Sequence, residues 1–121
     1  MGVLHRFVGK EGQFEWENVP VENYENGGAV GGTRCVVIGR QEGANNFSLR
    51  YYEVRYGGQT SFDVHDHDHG VYVLRGTARV LMGREVVEVV VGDVIYIPPN
   101  ERHQFENIGD EPFGFLCAVP L

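Results

Sequence analysis

The chain has 121 residues, enough for one buried core and too few for two. Its hydrophobic fraction of 42% excludes a wholly disordered chain. The net charge is −7 and Lys10 is the only lysine, so nucleic acid and anionic membrane surfaces are poor candidates as partners.

In chain order, residues 1–32 are polar and glycine-rich, with ENGGAVGG at 25–32 and Phe14, Trp16 and Tyr24 to anchor them. An N-terminal arm is expected here, lying on the body of the protein or on a neighbouring subunit, with one domain over 33–121. His5 falls in this polar arm and is expected to be exposed and without a role. The opening MGVLHRFVGKEG lacks the apolar core of a signal peptide, and no apolar run is long enough for a membrane span, so a cytoplasmic location is expected. Cys35 and Cys117 then read as two buried thiols rather than a disulfide.

From residue 36 onward the apolar segments are short and rich in β-branched and aromatic residues. Strands are predicted over 36–38, 47–56, 71–74, 78–82, 86–91, 94–97 and 113–119. Turn signals separate them: Gly57-Gly58, Gly83, Gly92-Asp93, Pro98-Pro99-Asn100 and Gly109-Asp110. No window sustains a helical period, so the prediction is an all-β sandwich or barrel.

The chemistry concentrates in DVHDHDHGVYVLRG, residues 63–76. Asp63, His65, His67 and His69 share one parity, but a straight strand rises ~3.3 Å per residue and would spread positions 63 and 69 over ~20 Å. Metal bonds of ~2.0–2.2 Å cannot bridge that span. Asp66-His67-Asp68 is therefore predicted to close a hairpin loop, with His65 ending one strand, His69 opening the next, and His67 left at the tip. Downstream, the Pro98-Pro99-Asn100 turn reverses the chain and presents His103 at the start of a strand, with Phe105 on the same face. A distant histidine in that setting completes a site begun elsewhere. An acidic, histidine-rich tip on its own reads equally well as a solvated loop.

These residues resemble the cupin superfamily. Its second motif, G-x5-P-x-G-x2-H-x3-N, matches Gly92, Pro98, His103 and Asn107, with Asn100 in place of the inner glycine. Its first, G-x5-H-x-H-x3,4-E-x6-G, matches in spacing as Gly57, Asp63, His65, His69 and Gly76, with Asp63 replacing the first histidine and His69 the glutamate. Reading His65 and His67 as the paired histidines instead would need a ligand at Val71 or Tyr72 and find none. The likeness runs from about Arg34 to the end of the chain and is greatest to small single-domain, manganese-binding, oxygenase-like cupins. It implies a cupin-type jelly-roll barrel binding one divalent transition metal per chain through Asp63, His65, His69 and His103. Manganese or iron is favoured, and Zn, Ni, Co and Cu suit the same donors.

Alternation from the histidines points Val71, Val73 and Phe105 inward, and the last strand carries Phe115 and Cys117 on one face. Cys117 reads first as a small buried hydrophobe, and the resemblance places it near the cavity. Arg50 and Tyr52 share a face and suit a substrate carboxylate or hydroxyl, although such residues more often lie on an outer sheet face. Three functions fit: a metal-dependent dioxygenase acting on a small organic substrate, a metal-assisted isomerase or lyase with Glu53 as base, and a non-catalytic binding or sensing module. A homodimer is expected, because the arm's aromatic residues and the outward Tyr72, Leu74 and Leu81 need covering, with an interface of ~2,000 Å² or more.

Overall fold

A computed structural model describes residues 2–9 and 12–121. The strands are β1 (Glu22–Tyr24), β2 (Val30–Ile38), β3 (Phe47–Gln59), β4 (His69–Arg75), β5 (Ala78–Met82), β6 (Glu85–Val89), β7 (Val94–Ile97), β8 (His103–Asn107) and β9 (Phe113–Pro120). One 3-10 turn, Arg40–Glu42, is the only helical element among the described residues. Pairing is antiparallel, in the order β6-β5-β8-β3-β9-β4-β7, with β2 on β3 and β1 on β2. The sheet curls into a jelly-roll barrel. No helix among the described residues is long and apolar enough to cross a membrane.

Period-two alternation governs what the barrel encloses. Along β4, His69, Val71 and Val73 are buried while Gly70 and Tyr72 are exposed. On β9, Phe113, Phe115 and Cys117 point inward and meet Phe105 of β8, whose ring stacks on Phe115 at 4.4 Å between centroids. Burying each of these rings contributes about 2–3 kcal/mol. This packed end leaves the space beneath the histidines as the open part of the interior.

The predicted strands over 78–82 and 94–97 match β5 and β7, and the others differ only at their ends except near the glycines. There β2 begins at Val30, inside the segment expected to be arm, and β1 adds a further strand before it. The glycines of GGAVGG carry no side chains that would display a strand pattern. Gly57-Gly58, expected as a turn, is instead a bulge inside β3. The β2 register jumps from Gly32↔Val54 to Val30↔Gln59, Gly57 has φ 76°, and a Cβ on Gly58 would lie 2.8 Å from Val54 Cγ1.

The arm covers its own barrel. Phe14 stacks on Tyr51 at 5.9 Å and Trp16 meets the same ring edge-on at 5.2 Å, over an outer face built by Cys35, Val37, Leu74 and Leu116. This removes Phe14, Trp16 and Leu74 from the surfaces that called for a second subunit, although Tyr72 stays 46% exposed. His5 is half-buried rather than free: Nε2 lies 2.9 Å from Glu42 Oε2, and Nδ1–H donates to the Glu17 carbonyl at 2.9 Å. Cys35 and Cys117 are both free and buried.

Candidate metal centre

The segment between β3 and β4 does not form the predicted hairpin. Those strands are not neighbours, since β9 lies between them. His65 therefore ends no strand; only His69 stands where expected, as the first residue of β4. The segment is instead tied to β8. Asp63 and His103 exchange both backbone hydrogen bonds at 3.0 Å, and the His65 carbonyl accepts from the Asn100 N–H at 2.6 Å. Asn100 sits at φ 66°, a left-handed conformation that asparagine tolerates better than most residues, which explains its use at a glycine position. A bend at Asp66-His67 shortens the span that made four-residue convergence look impossible.

Three imidazoles converge. His65, His69 and His103 each bring one ring nitrogen within 4.8 Å of the other two. His103 Nδ1–H donates to the Glu101 carbonyl at 3.0 Å, which fixes the tautomer and leaves Nε2 with a free lone pair. His69 Nδ1 is 3.4 Å from Cys117 Sγ, and its Nε2 is buried without a hydrogen-bond partner. Burial, aided by His103, His67 and His65 around it, pushes the His69 imidazole down to about 4, so it stays neutral near pH 7. An unpartnered neutral nitrogen aimed at two others fits a divalent transition ion.

Asp63 is near this trio but outside its tightest grouping. Its Oδ2 lies 3.7 Å from His65 Nε2, too long for a hydrogen bond. Two ligand atoms about 2.1 Å from one ion sit roughly 3–4.2 Å apart, so the separation suits a shared ion. The same oxygen accepts from the Ser61 hydroxyl, which is linked in turn to Tyr24 Oη. His67 is not stranded at a loop tip. Its ring lies parallel to His65 at 5.0 Å and 4.8 Å from His69, on the wall of the same cavity. Because it is half-buried and stacked rather than convergent, His67→Ala is expected to weaken metal binding less than tenfold in a chelator competition. A loss matching that of a His65→Ala protein would make it a ligand.

The histidines open onto a cavity with about 100 Å³ of room for water-sized molecules. Arg50, Tyr52, Val71, Phe105, Phe115 and Cys117 line it. Arg50 and Tyr52 are on the inner face, against the more common outer placement. Val73 does not reach the cavity; it is fully buried in the packed end of the barrel. Glu53 is also excluded, since it lies on the opposite face of β3, under the arm, with Oε1 2.8 Å from Arg75 Nη1. Burial raises its carboxyl pKa against the pull of Arg75. The sequence reading missed Tyr24, Thr60, Ile97 and Val119. Ile97 and Val119 were accessible from alternation along β7 and β9. Nothing local marks Tyr24, which arrives only because β1 pairs with β2.

Residues 50–119 match the Cupin_2 cupin domain. The chain is 35% identical over 114 residues to a 1-methylthio-D-xylulose 5-phosphate methylsulfurylase of Rhodospirillum rubrum, spanning 90% of this chain and 70% of that one. Among solved structures, a cupin-2 domain protein of Rhodospirillum rubrum superposes with a TM-score of 0.82 at 34% identity, over 94% of this chain and 77% of that one. A polyketide cyclase from Streptomyces resistomycificus superposes at 0.77 with 32% identity, over 85% of this chain and 74% of that one. The chain belongs to the cupin family.

Proposed function

We propose that this cupin is a metal-dependent enzyme of the oxygenase type, acting on a small organic substrate held in the barrel. The observation that carries the reading is the unpartnered, buried Nε2 of His69, set between His65 and His103 at the head of a largely apolar cavity. His65, His69 and His103 would hold the ion, with Asp63 as a fourth donor. Manganese or iron held there would supply Lewis acidity and one-electron chemistry toward dioxygen.

The chain's own residues do the rest. Cys117 keeps the His69 ring oriented. Burial pushes its thiol up to about 12, so it is a neutral neighbour rather than a nucleophile. The stacked Phe105 and Phe115 exclude water and receive the apolar part of a substrate. Ser61 and Tyr24 steady the Asp63 carboxylate. An isomerase or lyase acting through Glu53 loses its base, because that side chain faces away from the cavity.

The methylsulfurylase relative acts on a sugar phosphate carrying a methylthio group, as its name states. Similarity to that relative, rather than the neutral Cys117 thiol, is what favours sulfur chemistry as a second reading. The test is oxygen uptake by manganese- and iron-loaded protein offered phenols, enediols and thiols. Uptake with a phenol or enediol supports the oxygenase reading, and turnover of a methylthio ketose without uptake replaces it.

A further inference from the structure

The barrel interior holds a cation with no carboxylate within ion-pair distance among the described residues. Arg50 extends from β3 into the cavity, where a guanidinium against an apolar wall is unfavourable unless paired. Of the three half-buried arginines, Arg34 and Arg75 each meet a carboxylate, on Glu22 and Glu53. Arg50 meets none among the described residues. Its one side-chain contact is a long one, Nη1 to Tyr52 Oη at 3.4 Å, and its Nε is buried with no acceptor. In a chain with 17 acidic residues, a carboxylate partner was readily available and is not used.

The placement of this cation is as telling as its isolation. Arg50 lies directly opposite Cys117 on the β3–β9 ladder, and Cys117 Sγ is 3.4 Å from His69 Nδ1. The guanidinium is thus one side chain removed from the histidine centre, and Tyr52 and Phe115 stack beside it at 5.4 Å. A ligand that satisfies this cavity carries an anion at one end, an apolar or unsaturated body in the middle, and a donor atom facing the histidines.

We propose that Arg50 anchors the carboxylate of the substrate, which is therefore a small organic acid. The inference rests on the reading of the cavity as a substrate site. A carboxylate matches the planar guanidinium fork with two parallel hydrogen bonds. A phosphate ester fits less well, because a dianion with three acceptor oxygens would meet a single guanidinium and no lysine.

Calorimetry on the metal-loaded protein tests this with shape-matched pairs: benzoate against benzamide, and pyruvate against pyruvamide, with methyl phosphate as a third arm. The acids are expected to bind at least tenfold more tightly than the amides. Arg50→Met is expected to abolish that preference, a 10–100-fold loss, with metal content by elemental analysis unchanged. Equal binding of acids and amides, or no binding of either, overturns the proposal, as does tighter binding of methyl phosphate. A ligand-free measurement adds an independent check. If Arg50 is held for substrate, Arg50→Met raises the melting temperature of the unliganded protein by about 3–6 °C. A fall shows a structural role and overturns the proposal. Failure of the parent reading leaves a different mark: protein that takes up no metal yet binds benzoate through Arg50 supports the anion site alone.

Discussion

Replacing His69 by alanine is expected to leave a folded barrel that no longer retains a divalent metal. The residue opens β4, and its strand is held on both sides, by β7 through His69↔Ile97 and by β9 through Gly70↔Ala118. Those backbone pairings survive the substitution. The lost ring provides a converging nitrogen that is already desolvated and has no protein partner to give up when an ion binds. Outer groups that merely orient a ligand are worth 10–100-fold in metal affinity, so deleting the ligand is expected to cost more than about 100-fold. Elemental analysis and chelator competition measure this, with far-UV circular dichroism as the check on folding. His103→Ala is expected to behave alike, since its nitrogen comes from β8 and clamps the site from a separate strand. Full metal occupancy in either variant would show that these histidines are core packing and no more.

The second large effect is on stability. Tyr51→Ala is expected to destabilise the protein by about 3–5 kcal/mol, lowering the melting temperature by roughly 10–20 °C. The ring is 1% exposed, and it is where the arm meets the barrel through Phe14 and Trp16. Its loss opens a cavity and removes both aromatic contacts together. Trp16 is the single tryptophan, so its emission reports docking of the arm directly. A red shift well below the melting transition is expected in the variant, at a position independent of protein concentration because the contact lies within one chain. The close fit also predicts a smaller effect at the facing strand. A Cβ on Gly114 would lie 2.6 Å from Tyr51 Cζ, so Gly114→Ala is expected to cost about 1–3 kcal/mol. Unchanged emission and melting in Tyr51→Ala would mean that the arm is held elsewhere.

The sequence by itself determined the strands and their inward faces over most of the chain. Val71, Val73, Phe105, Phe113 and Phe115 are inside because alternating side chains leave a strand no other way to hide its apolar residues. It also placed His69 and His103 at strand starts with their side chains inward, because alternation and turn chemistry fix direction there. Tertiary structure decided what local pattern cannot carry. The segment around His65 and His67 has no regular structure, so its course depends on backbone bonds to Asn100 and His103, more than thirty residues away in sequence. A hairpin there required β3 and β4 to be neighbours, and sheet order is a global property that places β9 between them. Tyr24 reaches the cavity through the pairing of β1 with β2, and the glycines between those strands display no pattern to announce it. Glu53 and Arg50 show the same division, because parity puts them on opposite faces of β3, while only the closed barrel and the docked arm decide which face is the interior. Side-chain direction along a strand is a local, steric matter, whereas the identity of the inside depends on which strands pair and what covers them.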